Sequence, residues 1–319
     1  MKRLILHVGV PKTGTSLIQR TMRQLRPELR SSGIAYIDRK AMHRLRDRPS
    51  WAAYATGPKE NRPRFLSDLR DVVKRERLRA LPKARAVVMS NESMIGRIAP
   101  EFGDPYWPRA TAALTDVVTA LKPSSTRVVM YIRRQDRLIE SLYMQRIHLG
   151  GSLNWTKFHR AVCGDDRVRY QDLVQAIAEV PTVEKISVAP FELIGAGGGR
   201  FVTHFMESLD LGIEALVADR DDPKPSNPSY TQPAYELAMK INKRLETPAQ
   251  RELTRKYLRE LFPADEYPKA QLLTNEQRSE LIEIYRPANE KFFAEYLSEF
   301  PVDSYSSPEA TSRLGSWLR

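Results

Sequence analysis

The chain has 319 residues, 41% of them hydrophobic, which allows one large α/β domain or two smaller ones and a sizeable core. Its one cysteine, Cys163, excludes an internal disulfide and a cysteine metal cluster and fits a reducing compartment, and no run approaches the roughly 18 apolar residues that span a bilayer. The net charge of +12 is uneven, with 23 Lys/Arg against 8 Asp/Glu in residues 1–100 and 28 against 31 in residues 101–319, a field that draws anions to the N-terminal third.

Leu4 to Val10 is apolar on both alternating faces and reads as a short buried strand. Pro11–Ser16 then turns, since Pro11 fixes one backbone angle and Gly14 permits conformations that other residues avoid. From Thr15 an amphipathic helix is predicted, with Ile18, Met22, Leu25 and Leu29 at spacings of four, three and four. Strand, glycine-containing loop and helix N-terminus make an anion cradle: loop N–H groups point inward and the helix dipole adds about half a positive charge. A nucleoside-triphosphate P-loop has its lysine directly before Ser/Thr. Here Gly14-Thr15-Ser16 stands in that place, and Lys12 lies before the glycine, on the other side of the loop. An ordinary strand–helix turn with a chance lysine is the plain alternative.

Gly33 reads as a helix C-cap and Gly33–Ile37 as a second strand. Residues 39–63 are basic, with prolines at 49, 58 and 63, and read as a loop-rich insertion that could form an acceptor-binding lip. Residues 64–81 read as a charged surface helix ending before Pro82. Ala84–Ser90 is a strong third strand, and Asn91-Glu92-Ser93 follows at its C-terminal end, where open parallel sheets place ligands. Glu92 is therefore the candidate acid–base group, against the plain reading of a helix-start carboxylate or a partner for a local arginine. Residues 100–107 form a turn, and a helix with Leu114, Val117, Val118 and Leu121 on one face stops at Pro123.

Arg127–Ile132 is the fourth strand. Arg133, Arg134 and Arg137 cluster at the start of the next helix, whose apolar face uses Leu138, Leu142 and Tyr143. An arginine fork suits a phosphate dianion, and Ser141, two turns in, can add a hydroxyl. His148, just before Gly150-Gly151, is an alternative base or an acceptor contact; histidines 7, 43, 159 and 204 show no metal-ligand spacing. Lys185–Phe191 is the fifth strand. Gly195–Gly199 lacks the dinucleotide spacing and reads as a connector to a helix with Phe201, Phe205 and Leu209 on one face. Residues 219–233 are a polar, proline-rich loop. Helices are predicted near 233–246, 249–261 and 275–298, the last kinked at Pro287, and an irregular tail from 301.

Two stretches, in order and about 120 residues apart, carry a resemblance. VPKTGTSLIQ resembles the 5′-phosphosulfate loop of sulfotransferases that use 3′-phosphoadenosine 5′-phosphosulfate (PAPS), P-K-[ST]-G-T-[ST]. VVMYIRRQDRLIESLY, residues 128–143, resembles their 3′-phosphate site, an arginine at a strand's end and a serine eight residues on, here Arg133 and Ser141. The position of Glu92 is similar to that of the catalytic glutamate of sugar sulfotransferases. Asn227-Pro228-Ser229 stands where family members often carry Asn-x-Ser. The last third resembles bacterial members only loosely.

The resemblance implies an α/β, P-loop-like three-layer fold, with a mainly parallel sheet of about five strands, helices on both faces and a helical C-terminal part. A single domain over 1–300 would carry the basic insertion at 39–63 and the C-terminal helices at 233–298. It implies sulfuryl transfer from PAPS to a hydroxyl of a carbohydrate or glycolipid, leaving 3′-phosphoadenosine 5′-phosphate (PAP). Pro11, Lys12, Thr13, Gly14, Thr15 and Ser16 would bind the 5′ end, Arg133 and Ser141 the 3′-phosphate. Lys12 and Glu92 would be catalytic, His148 would meet the acceptor, and no metal would be required. The rivals are a kinase with a modified loop and a non-catalytic binder of acidic glycan or a membrane surface. No nucleic-acid-binding motif is present in the sequence. A cytoplasmic location is expected, with peripheral contact to the inner membrane face left open.

Overall fold

The structure, a computed structural model, describes residues 2–43, 61–80, 84–95, 107, 109–162, 168–217 and 229–307. Five parallel strands form one sheet in the order β2-β3-β1-β4-β5: β1 Arg3–Gly9, β2 Ile34–Asp38, β3 Ala86–Ser90, β4 Ser125–Ile132 and β5 Val183–Pro190. The apolar runs dictate this arrangement. Leu4, Ile5, Leu6 and Val8 are wholly buried, as are Val87, Val88 and Met89 of β3 and Val128, Met130, Tyr131 and Ile132 of β4. A strand buried on both faces needs helices on both, which is the environment parallel sheets require. Ile5 lies level with Val88 on one side and Arg127 on the other. The register with β4 shifts between His7 and Gly9, where the chain leaves the sheet for its loop.

The helices among the described residues are α1 Thr15–Gln24, α2 Arg26–Ser31, α3 Arg39–His43, α4 Asn61–Arg79, α5 Ala110–Leu121, α6 Gln135–His148, α7 Trp155–Val162, α8 Tyr170–Ala178, α9 Gly198–Ser208, α10 Gln232–Ile241, α11 Pro248–Leu261, α12 Asn275–Tyr296 and α13 Asp303–Ser306. None is long and apolar enough to cross a membrane. In one layer α4, α5 and α8 pack in series, while α1 packs against α9. Phe201, Phe205 and Leu209 of the predicted α9 face are fully buried.

Several predicted elements change. The first helix breaks at Leu25, because Pro27 lacks an N–H and cannot continue the preceding turn; Leu25 and Leu29 still reach the core. Residues 39–63 are not all loop: α3 occupies Arg39–His43, and α4 begins at Asn61, where Pro63 falls in a first turn that needs no N–H partner; 44–60 lie outside the described residues. Residues 100–106 and Asn227-Pro228 also lie outside. Helix α12 runs through Pro287 as one element. Capping boxes start α11 (Thr247 with Gln250) and α12 (Thr274 with Gln277), a Thr-x-x-Gln signature present in the sequence. The predicted irregular tail is replaced, over 303–306, by α13. Its Tyr305 is fully buried and donates to Glu192 Oε2 at 2.8 Å, so burial and a charge-assisted hydrogen bond hold the segment; 308–319 lie outside the described residues.

Candidate active site

The site forms at the C-terminal ends of three adjacent strands, β3, β1 and β4. The loop after β1 is pinned by Val10 N–H donating to Tyr131 O at 2.8 Å and by the buried Thr13 hydroxyl donating to Val10 O. Lys12 and Gly14 both have left-handed backbone, φ 71° and 76°. Only at Gly14 is that conformation free of side-chain strain, and a Cβ there would sit 2.8 Å from the Phe201 ring and 3.1 Å from Phe191. Gly14 O receives Leu17 N–H at 2.9 Å, so the loop passes directly into α1. Thr15 Oγ1 is buried without a hydrogen-bond partner among the described residues, a polar atom at the helix N-terminus that suits an anionic ligand.

Lys12 stands at the centre. Burial pulls its pKa below the usual lysine range, the charges of Arg133 and Arg259 pull the same way, and Glu92 opposes them. Arg133 comes from the end of β4. Its Nη1 donates to Lys12 O at 2.8 Å and its guanidinium lies 5.0 Å from the centre of the Phe191 ring. Its Nε is buried and unpartnered among the described residues. Burial lowers its pKa, with Glu192 and Asp136 opposing, and an arginine stays charged regardless. The loop and Arg133 therefore offer unspent donors to a phosphate-bearing ligand.

Glu92 reaches the loop from β3. It passes so near that a Cβ on Gly9 would lie 3.1 Å from Glu92 Cβ. Arg39 Nη1 donates to its Oε1 at 3.0 Å and Gln19 Nε2 to its Oε2 at 3.3 Å. Gln19 is itself held, since the same nitrogen donates to Ser90 O at 3.0 Å. Neither Gln19 nor Arg39 is visible as a site residue in the sequence, because each sits in an ordinary amphipathic or basic run.

The three arginines after β4 separate. Arg134 is 1% exposed and turns away from the loop: Nε and Nη2 hold both oxygens of Asp136 at 2.8 and 3.0 Å, and Nη1 donates to Ser307 O at 2.6 Å. It ties the sheet to the C-terminal helices and is not a phosphate ligand. Arg137 lies within electrostatic reach of Arg133 and Lys269. Ser141 is half-buried on α6, and helical spacing puts Arg137, Ser141 and His148 on one face. His148 is half-buried with its ring edge-on to Tyr230, centroids 4.1 Å apart, and its Nε2 has no partner among the described residues. Burial, then Arg259, Lys12 and Arg255, push its pKa down to about 3, so the imidazole is neutral near pH 7.

The structure thus brings Lys12, Glu92, Arg133 and His148 together and adds Gln19, Arg39, Arg255 and Arg259. Among the described residues no group of three or more His, Cys, Asp or Glu could hold a metal ion.

No family model matches the chain, and no curated protein does. Among solved structures, a sulfotransferase from Alicyclobacillus acidocaldarius is similar at 14% identity with a TM-score of 0.40, covering 79% of this chain and 99% of that one.

Proposed function

We propose that the chain is a sulfotransferase that moves the sulfuryl group of PAPS to a hydroxyl of a carbohydrate or glycolipid. The observation that carries the reading is the setting of Lys12, with Arg133 on the β4 side and Glu92 on the β3 side of one anion-cradling loop. PAPS, when bound, supplies an activated sulfuryl group on a phosphate leaving group. The loop N–H groups of Thr13 to Ser16 and the Thr15 hydroxyl fit its 5′ end, and Arg133, Arg137 and Ser141 fit its 3′-phosphate. Lys12 neutralises the charge that grows on the leaving oxygen. Glu92 accepts the acceptor's proton, its carboxylate aimed by Gln19 and Arg39. The neutral His148 lines the acceptor side. A metal is not needed for this chemistry, because Lys12 serves the leaving group. A kinase reading would want the lysine directly before Ser/Thr, and Gly14 occupies the residue before Thr15.

The test is calorimetric titration of the full chain with PAP and, separately, with ATP and Mg²⁺, followed by transfer of ³⁵S-sulfate from labelled PAPS to a carbohydrate panel. Selective PAP binding, weakened in Arg133→Gln, together with label transfer supports the reading. Binding of ATP alone moves the chain to kinase chemistry, and binding of neither nucleotide overturns both.

A further inference from the structure

The turn that joins β4 to α6 delivers Arg133, and side chains distant in sequence hold that turn. Arg134 precedes α6 without a side-chain cap hydrogen bond. At the end of β4, Ile132 lies level with Pro190 of β5, which has no N–H to donate, and the ladder ends there. Glu192 Oε1 then accepts Arg134 N–H at 3.1 Å, and Glu192 Oε2 is held by the Tyr305 hydroxyl. Tyr170, the first residue of α8, takes Arg133 itself. Its hydroxyl accepts Arg133 N–H at 3.3 Å and donates to Arg133 O. One phenol oxygen therefore spans both backbone polar groups of the residue that faces the loop.

We propose that Tyr170 is a positioning residue for nucleotide binding: its hydroxyl locks the Arg133 peptide, so that the guanidinium is aimed at the 3′-phosphate before the nucleotide arrives. This rests on the reading of Arg133 as a 3′-phosphate ligand. The phenol is itself fixed. Tyr170 is 2% exposed, Trp107 stacks on its ring with centroids 5.9 Å apart, and Phe292 of α12 packs against it at 6.1 Å. Its proton is fixed too. Burial pushes the phenol pKa up, the hydrogen bond to Arg133 O opposes only in part, and the hydroxyl remains a donor. Arg133 has reason to be held from its backbone. Nη1 is spent on Lys12 O, while the buried Nε has no partner among the described residues. A long side chain that keeps donors for a ligand loses rotamer freedom when it binds, and order set in advance lowers that cost.

The experiment is calorimetry on the full chain with PAP and with adenosine 5′-phosphate, which lacks the 3′-phosphate. The proteins are wild type, Tyr170→Phe, Arg133→Gln and the double variant. Phenylalanine keeps the ring in its packing and removes the hydroxyl alone. Tyr170→Phe should weaken PAP about three- to tenfold, the net worth of one hydrogen bond, and leave adenosine 5′-phosphate within about twofold. In the Arg133→Gln background the same change should weaken PAP by less than about twofold, because a residue that acts through Arg133 has nothing left to act on. Phe292→Leu, which loosens the ring's packing and spares the hydroxyl, should keep the preference for PAP. Equal loss for both nucleotides, or a loss that adds in full to that of Arg133→Gln, overturns the inference. Amide exchange on the wild-type chain labelled with ¹⁵N-arginine makes the test independent of whether Tyr170→Phe folds. Arg133 N–H should be protected before PAP is added, and exchange at the rate of an open amide overturns the clamp. Failure of the wild-type chain to bind PAP refutes the sulfotransferase reading and this inference with it, whereas PAP binding with an additive loss refutes only the inference.

Discussion

Arg133 and Arg134 are neighbours in sequence with opposite tasks, and replacing each with glutamine separates them. Arg133→Gln removes one hydrogen bond to Lys12 O and one ring contact with Phe191, both at a half-buried position. The stability lost is about 1–2.5 kcal/mol, for one charge-assisted hydrogen bond and one cation–π contact at a partly solvated position. If the guanidinium also makes two charge-assisted hydrogen bonds to the 3′-phosphate, PAP affinity falls by about 1.5–3 kcal/mol, roughly 10- to 150-fold. Arg134→Gln instead breaks a buried, two-point ion pair with Asp136 and the tie to Ser307 O. Breaking such a pair costs about 3–5 kcal/mol, and the lower end applies because Asp136 keeps Arg278. With a urea slope of about 3 kcal/mol per molar, the unfolding midpoint drops by about 1 M. Urea titration followed by circular dichroism reads stability and calorimetry with PAP reads affinity. Equal loss of PAP affinity in both variants, or an Arg134→Gln midpoint unchanged within error, would refute the assignment of these two side chains.

Lys12→Ala should lower sulfuryl transfer by about two to three orders of magnitude, read as initial rate with labelled PAPS, as for loss of one charge-stabilising donor. Glu92→Gln should lower turnover by about two to four orders while PAP affinity holds, because the proton acceptor is lost and the nucleotide side is not. Gly14→Ala should cost about 2–4 kcal/mol in urea unfolding, the sum of a left-handed backbone and a methyl against Phe201, and Phe201→Leu in the same chain should recover part of it. The buried His7 is held neutral, its pKa lowered by burial to about 3, while its Nδ1 pairs with Ser90 Oγ at 2.8 Å. The unfolded chain takes up that proton first, so stability is full above about pH 6.5 and falls by about 1.4 kcal/mol per pH unit for this one group as pH drops toward 3. His7→Asn should flatten the slope of unfolding free energy against pH by that amount.

The five strands, the loop at Pro11–Ser16 and the three C-terminal helices are legible in the sequence because each rests on local signals: apolar runs, proline and glycine, and helical spacing. The same signals place Lys12 on the loop, Glu92 after β3 and Arg133 after β4, since ligands gather at the C-terminal ends of parallel strands. Single-residue detail is less legible where distant contacts decide. Arg133 and Arg134 are alike to any local rule, yet only the ion pair with Asp136, itself shared with Arg278, and the tie to Ser307 O show that Arg134 is structural. Gln19 and Arg39 became visible at Glu92 only when α1 and α3 were folded beside β3. Arg255 and Arg259 look like solvated charges on a polar helix until the fold sets Arg251 of that helix against Gly150 at the end of α6. What the amino-acid sequence determined by itself is the five strands, the long amphipathic helices and the loop between β1 and α1, because propensity, periodicity and turn stereochemistry act over a few residues. What the tertiary structure alone decided is which charges share a desolvated pocket, because electrostatic energy depends on distance and burial between residues more than 100 positions apart.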